Sequence, residues 1–247
     1  MTMESQPELS IIIPAYNEEL RLPRTLGRIR AYIEATGISS EIIVVDDGSR
    51  DGTVQFMESQ MAAWPALRLV KNPGNRGKGY SVRKGMLEAR GKIVLFTDAD
   101  LSAPIEEADK LLAALASHDI AIGSRAMDRG LIEVHQPWTR ELAGIIFNGI
   151  VRAVLGLKIE DTQCGFKAFR RDRSHIIFQQ QRIDRFGFDP ELLFLAKRNG
   201  LTIAEVPVRW ANDSGTTVSF WDGARAMFFE VARVRWNAIT GKYPRAK

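Results

Sequence analysis

In the first hundred positions apolar residues come in short, nearly unbroken blocks. Leu9-Ser10-Ile11-Ile12-Ile13 closes at Pro14, and Glu41-Ile42-Ile43-Val44-Val45 closes at Asp46-Asp47-Gly48. Leu67-Arg68-Leu69-Val70 ends near Asn72-Pro73-Gly74, and Lys92-Ile93-Val94-Leu95-Phe96 runs into Thr97-Asp98. β-Branched blocks of this length, closed by turn formers, predict strands covered on both faces, as in a parallel sheet. Between the blocks the apolar spacing lengthens. Leu22, Leu26, Ile29 and Ile33 mark one face of a helix over 20–36, the spacing of an amphipathic helix. Further helices are expected over 53–63, behind the possible caps Ser49 and Asp51, and over 80–90, behind a glycine-rich turn. Strand and helix in alternation predict an α/β fold with an open sheet. Such sheets bind ligands at the carboxyl ends of their strands. Asp46, Asp47, Asp98 and Asp100 all fall just past predicted strand ends.

The second half is less regular. Ile120-Ala121-Ile122-Gly123 predicts a strand, 137–157 a strongly apolar helix, the alternating 203–210 another strand, and 221–240 a final helix. No linker rich in Pro, Gly or Ser separates the halves, so a single domain over 8–247 is expected.

Composition narrows the class. The chain has 247 residues, 45% hydrophobic and 26% charged, the balance of a soluble globular protein able to bury a core without staples. One cysteine, Cys164, excludes an internal disulfide framework and fits a reducing compartment. Net charge is +4 without a dense Lys/Arg run. That disfavours nucleic acid and points to anionic substrates or an anionic membrane surface. No stretch reaches the roughly 18 uncharged apolar residues of a membrane span; the nearest, 142–157, is shorter and carries Arg152. Residues 1–8 are polar, so no signal peptide is expected, and a cytoplasmic protein follows.

Three constellations carry chemistry. In Asp98-Ala99-Asp100 two carboxylates one residue apart can face one hard cation. Mg²⁺ or Mn²⁺ often takes one or two protein carboxylates and completes its shell with phosphate oxygens and water. The bland alternative is a pair of loop-capping aspartates. In Asp46-Asp47-Gly48-Ser49-Arg50-Asp51-Gly52-Thr53 a strand-end carboxylate can accept from a nucleobase or ribose hydroxyl. Turn and cap chemistry explains Gly48, Asp51 and Thr53 but not two adjacent acids. In Asn72-Pro73-Gly74-Asn75-Arg76-Gly77-Lys78-Gly79-Tyr80 the glycines admit a ligand close to the backbone, and Arg76 or Lys78 can meet phosphate or sugar. A solvated surface turn is the alternative there. The segment is not a Walker loop. The first strand is followed by Pro14-Ala15-Tyr16-Asn17-Glu18 rather than a dinucleotide fingerprint.

Taken in order, Ile13-Pro14-Ala15-Tyr16-Asn17-Glu18, Asp46-Asp47-Gly48-Ser49, Asn75-Arg76-Gly77-Lys78-Gly79 and Asp98-Ala99-Asp100 resemble the GT-A-fold glycosyltransferases of family 2. Ala121-Ile122-Gly123-Ser124-Arg125, Asp161-Thr162-Gln163-Cys164-Gly165-Phe166-Lys167 and Phe188-Asp189-Pro190-Glu191-Leu192-Leu193 resemble the dolichyl-phosphate β-glucosyltransferases among them. So does the closing segment from Phe220-Trp221 to Arg233-Val234-Arg235-Trp236. The resemblance implies a mostly parallel central sheet flanked by helices, with amphipathic helices near the C-terminus. Residues 8–125 would form the nucleotide-sugar half and 126–247 the acceptor-binding, membrane-facing half. It further implies UDP-glucose as donor, a polyprenyl or dolichyl phosphate as acceptor, inversion at the anomeric carbon, and Mg²⁺ or Mn²⁺.

By the same resemblance Pro14, Tyr16, Glu18, Val44 and Asp46 hold the nucleoside, with Asp47, Lys78 and Ala99 as further substrate contacts. Asp98 and Asp100 hold the metal. Arg125 and Arg140 face the acceptor phosphate or the diphosphate. Gln163 or Asp161 binds sugar hydroxyls, aligns the acceptor phosphate, or organises a loop beneath the site. Cys164 reads as a small buried residue. The chain departs from relatives in three places. It shows no transmembrane helix. Leu101-Ser102 follows the Asp-x-Asp where mannose synthases carry a glutamine, which weakens a GDP-mannose reading. Ser214-Gly215-Thr216-Thr217 lacks the lysine that relatives often place there.

A polyprenyl acceptor requires access to a membrane surface. Trp138, Leu142, Ile145, Ile146, Phe147, Ile150, Val151, Val154 and Leu155 give one helix a broad apolar face. Met227, Phe228, Val231 and Val234, interleaved with Arg225, Arg233 and Arg235, give another. Such helices either lie in the interface, attaching the protein peripherally, or pack on the core. The alternatives weighed are a transferase of the same fold with GDP-mannose or a soluble acceptor, a non-catalytic nucleotide-sugar-binding module, and a sugar-nucleotide pyrophosphorylase. The retention of Asp98, Asp100 and Arg125 argues against the module. The absence of a glycine-rich loop after the first strand argues against the pyrophosphorylase.

Overall fold

A computed structural model of the chain describes residues 6–213 and 220–244, without the side chains of 220–225. Ser214-Gly215-Thr216-Thr217 therefore lies outside the described residues, as do residues 1–5 and the side chains of Phe220, Trp221 and Arg225. The strands are β1 (Leu9–Ala15), β2 (Ser40–Asp46), β3 (Leu67–Lys71), β4 (Ile93–Thr97), β5 (Ile120–Ser124), β6 (Ile132–Val134), β7 (Phe166–Arg170), β8 (Ile203–Pro207) and β9 (Trp210–Ala211). The helices are α1 (Leu22–Thr36), α2 (Thr53–Met61), α3 (Lys78–Glu88), α4 (Ala108–Ala114), α5 (Trp138–Leu155), α6 (Arg171–Gln180), α7 (Phe188–Arg198) and α8 (Phe220–Ile239).

Seven strands form one sheet in the order β3-β2-β1-β4-β7-β5-β8, and β6 pairs with β9 beside it. Pairing in the large sheet is parallel except at β7, which runs antiparallel to both β4 and β5. The apolar blocks alternate across the sheet as strand geometry requires. Ile12, Ile43, Val45, Phe96, Ile122 and Phe169 enter a core layer shared with α3, α6 and α7. Ile11, Ile13, Ile42, Val44, Leu95 and Phe166 enter the layer under α1 and α4. Helix ends follow local chemistry. Pro23 opens α1, and Gly37 closes it in the left-handed region at φ 67°, its N–H donating to the carbonyl of Ile33.

The six strands predicted from the pattern are present, with one correction. The expected strand over 203–210 is two strands, β8 in the large sheet and β9 paired with β6, separated at the fully buried Val208. Strands β6 and β7 and helices α4, α6 and α7 were not expected. β7 carries Lys167 at a fully buried position, which breaks the apolar pattern. α7 is buried from Phe188 through Ala196, so it has no polar face to set a helical period.

The two apolar helices differ from expectation in detail. α5 packs on α8, and of its side chains only Val151 and Leu155 are fully buried. Trp138 is 75% exposed, and Leu142, Ile145, Ile146, Ile150 and Val154 also face outward. On α8 Val231 and Val234 take the second of the two expected places, packed in the core, while Phe228, Phe229, Trp236 and Ile239 are exposed. Among the described residues no helix is long and apolar enough to cross a membrane.

Candidate functional site

The carboxyl ends of β1, β2, β4 and β5 meet at one edge of the sheet. Because β7 is antiparallel, its beginning lies at that same edge, with Phe166 opposite Thr97. The loop over 160–165 is thereby brought against the end of β4. Contact is close: a Cβ on Gly165 would overlap the Asp98 carboxylate, 2.7 Å from its Cγ. A side chain there would have to displace that carboxylate.

Asp98 and Asp100 are held by a tight turn. The carbonyl of Asp98 accepts from the N–H of Leu101 at 3.1 Å, and Leu101 takes φ 50°. Asp100 Oδ1 accepts from the N–H of Ser102 at 2.9 Å. The carbonyl of Ala99 accepts from the buried hydroxyl of Thr25 on α1. Lys78, the first residue of α3, places its ammonium 2.5 Å from Asp98 Oδ1. Burial opposes that charge, but Asp98 and then Asp189 hold its pKa above the ordinary lysine range. Burial raises the Asp100 carboxyl, and the charge of Asp98 raises it further. Glu18 is raised by burial too, against its pairing with Arg21 at 3.1 Å, with Asp100 and Asp213 adding to the shift.

Acids whose ionised forms destabilise one another are a site that a cation would relieve. Among the described residues no three metal-ligating side chains converge. Asp98 and Asp100 offer two carboxylates, a set that a hard divalent ion could take while drawing its other oxygens from substrate and water.

On the β1–β2 side the expected contacts separate into groups. Tyr16 is 40% exposed beyond the end of β1, and Pro14 is half-buried within it. Asp46 is buried and accepts from the N–H groups of Gly48 at 3.1 Å and Ser49 at 3.2 Å. Asp47 is also buried. It accepts from Asn72 Nδ2 at 2.9 Å and from the N–H groups of Arg76 and Gly77, both at 2.8 Å. Asp47, expected as a substrate contact, thus anchors the glycine-rich turn with both oxygens. Gly77 sits at φ 106°, and a Cβ there would strike the carbonyl of Asp184. The side chains of Val44 and Ala99 belong to the core layer under α1, so any contact with a substrate falls to their backbone groups.

The other wall is built on Arg125, just past β5. Its guanidinium grips Asp161 with two bonds, Nε to Oδ2 at 2.7 Å and a terminal nitrogen to Oδ1 at 2.8 Å, and its backbone N–H adds a third at 3.0 Å. Burial would raise the Asp161 carboxyl, but Arg125 overrides it and holds the pKa at about 2. Trp210 packs under the guanidinium at 5.4 Å. Gln163 donates its backbone N–H to Asp161 and its side-chain amide to Met227 on α8. Arg125, Arg140 and Gln163, all expected at the site, line one cavity of about 590 Å³ together with Arg129, Arg152 and Ile145. A larger cavity of about 750 Å³ lies at the opposite ends of β4 and β7, beside Lys92 and Arg170, and shares no lining residue with it.

Several residues that organise the loops of the cleft had no signal in the sequence. Asn148 and Glu205 clamp loop 160–163 from α5 and β8. Lys167 is fully buried and bonds Asp189 and the carbonyl of Cys164. Asp189 was visible only as part of a motif, and Lys167 only as its final letter. Cys164 is buried, which pushes its thiol up to about 12 and leaves it unreactive.

The model of glycosyl transferase family 2 matches residues 10–176, more than half of the chain. The chain belongs to glycosyltransferase family 2. It is 34% identical over 241 residues to a dolichyl-phosphate beta-glucosyltransferase of Trichomonas vaginalis, covering 93% of this chain and 71% of that protein. A dolichyl-phosphate beta-glucosyltransferase of Drosophila melanogaster is 38% identical over 89% of this chain and 73% of its own length. The human one is 33% identical over 96% and 77%. Among solved structures, glucosyl-3-phosphoglycerate synthase from Mycobacterium tuberculosis, in complex with Mn²⁺, UDP and phosphoglyceric acid, superposes with a TM-score of 0.68 at 20% identity. The match covers 93% of this chain and 78% of that one. The chain is a glycosyltransferase of the GT-A fold.

Proposed function

We propose that this family 2 enzyme transfers glucose from UDP-glucose to a polyprenyl phosphate of the dolichyl type, with inversion, at a membrane surface to which it attaches peripherally. The observation that carries the reading is the position of the arginine-lined cavity. It shares loop 160–165 with the Asp98 turn: Asp161 and Gln163 line the cavity, Gly165 packs on the Asp98 carboxylate, and Ile145 of the outward-facing helix α5 stands in the cavity wall. An anionic head group with an apolar tail matches that arrangement, and a small soluble acceptor leaves the apolar face of α5 unused. The sequence similarity to dolichyl-phosphate beta-glucosyltransferases over most of the chain supports the same donor sugar and acceptor.

The chemistry follows from the charges. The acceptor phosphate is already an anion near neutral pH and needs little help from a base. An oxygen of that phosphate attacks the anomeric carbon from the face opposite the donor diphosphate. The bond from that carbon to the diphosphate oxygen breaks, and UDP leaves with the electron pair. The work left to the protein is to bring two anions together and stabilise the leaving group. Asp98 and Asp100 would hold a divalent cation, which when bound supplies charge stabilisation to the diphosphate. Lys78 stands beside them as a further cation. Arg125 and Arg140 serve the acceptor phosphate, as guanidinium forks suit phosphate oxygens. Tyr16 and Glu18 lie where β1 ends and serve the nucleoside.

The test is incubation with labelled nucleotide sugars, Mg²⁺ or Mn²⁺, and polyprenyl phosphate in vesicles. Label from UDP-glucose should enter the organic phase, and chelation should abolish it. Transfer only to a water-soluble acceptor, or only from GDP-mannose, would overturn the reading.

A further inference from the structure

We propose that Asn148 is a positioning residue that ties helix α5 to loop 160–163 and, through Asp161, sets the aim of Arg125 in the cavity. Asn148 lies on α5 between Ile145 and Ile150, both of which are exposed. Its side-chain amide donates to the carbonyl of Glu160. Its Oδ1 accepts from the hydroxyl of Thr162 at 2.7 Å and from the N–H of Thr162 at 3.3 Å. From the other side Glu205 accepts from the N–H groups of Glu160 at 2.8 Å and Asp161 at 2.7 Å. The backbone around Asp161 is therefore held between one helix and one strand.

The Asp161 carboxylate is fully engaged within the protein. Its two oxygens accept from the backbone, Nε and a terminal nitrogen of Arg125 and from the N–H of Gln163. A guanidinium has five N–H donors, so the grip on Asp161 leaves about three for a ligand. Their direction is fixed by where Asp161 stands. A displacement of the loop turns the fork as a unit, because its two bonds to Asp161 are parallel and leave it little freedom of its own.

Helix α5 is held to the body by few buried side chains, chiefly Val151 and Leu155, and shows a broad apolar face outward. Asn148 joins that lightly anchored helix to the loop that carries Asp161. Docking of α5 on an acyl surface and the aim of Arg125 then form one mechanical unit. The kinetic readout of this inference rests on the proposed transfer reaction; its geometric content does not.

The experiment uses the full chain with Asn148→Ala and Thr162→Ser, read in two ways. The first is transfer from UDP-glucose to polyprenyl phosphate in phosphatidylcholine vesicles. The second is the solvent exchange of the Arg125 Nε–H by NMR, assigned by its absence in Arg125→Lys. Asn148→Ala should lower kcat/KM for polyprenyl phosphate by about 100-fold, the scale of a misplacement near 1 Å. KM for UDP-glucose and vesicle binding should be unchanged, and the Arg125 Nε–H should exchange faster. Thr162→Ser keeps the hydroxyl and should behave as the parent in both. An equal loss on donor and acceptor, or an unchanged Arg125 Nε–H, would overturn the proposal. If the parent transfers nothing to polyprenyl phosphate, the reaction is wrong and the Arg125 exchange decides the positioning role alone.

Discussion

Past β2 and β4 the acids Asp46, Asp47 and Asp100 are fixed mainly by backbone amides, whereas along β5 and β7 charged and polar side chains fix one another. Asp46 is cradled by Gly48 and Ser49, Asp47 by Arg76 and Gly77, and Asp100 by Ser102. Arg125 instead depends on Asp161, Asp161 on Glu205, and Thr162 on Asn148. An amide cradle survives many side-chain changes around it but demands particular backbone angles, and so glycines. A side-chain network fails when any member is removed, since each deletion strands a buried partner. The first wall is suited to a rigid donor site. The second can respond to the helices it touches.

The largest effect should come from the first wall. Asp98→Ala and Asp100→Ala should each reduce turnover by about 1,000-fold with folding intact, on the scale of losing a principal stabiliser of transition-state charge. Turnover with a metal titration, checked by circular dichroism, measures this; full activity in both variants would remove the metal role. Next comes the point where the walls touch. Gly165→Ala drives a methyl group onto the Asp98 carboxylate and should cost about 100-fold in turnover by displacing it. Wild-type activity in that variant would mean that loop 160–165 and Asp98 move apart freely, and the two walls would be independent.

A smaller effect concerns pH. The folded pKa of Asp161 is about 2, below its ordinary 3.8. A lowered carboxylate stabilises the fold above its unfolded pKa, and that contribution is lost as pH falls through the folded value. The shift corresponds to about 2 kcal/mol, lost between about pH 4 and pH 2. Denaturant unfolding at stepped pH should show this slope in the parent and a shallower one in Asp161→Asn. Equal slopes would mean that the acid sensitivity lies in the first wall. Smallest in stability should be Ile146→Glu and Phe229→Glu, within about 0.5 kcal/mol of the parent because both side chains are exposed. Both should nevertheless weaken sedimentation with anionic vesicles. Unchanged sedimentation would detach the apolar helices from the membrane role.

How much of this was legible differs between the same two walls. Every strand that carries an acid of the first wall was visible, because an apolar block followed by Asp or Gly marks both the strand and its end. The grip of Arg125 on Asp161 was not visible, because the partners stand 36 residues apart. Strand β7 hid for a related reason: Lys167, buried against Asp189, reads as a surface charge when its partner is unknown. The bonds that engage Asp47 and the burial of the Val44 and Ala99 side chains were not legible either, because adjacent letters say nothing of which oxygen or methyl faces inward.

The ordered motifs, from Pro14 to Asp100 and on to Arg125, determined by themselves the α/β class, the strand-end acids and the resemblance to family 2. These are encoded by short-range periodicity and turn chemistry, which act within a few residues. Only the tertiary structure decided that β7 runs antiparallel. That reversal sets Gly165 against Asp98 and Asp161 against Arg125. Those outcomes depend on contacts between segments far apart in the chain, whose pairing is settled by burial and charge compensation rather than by local pattern.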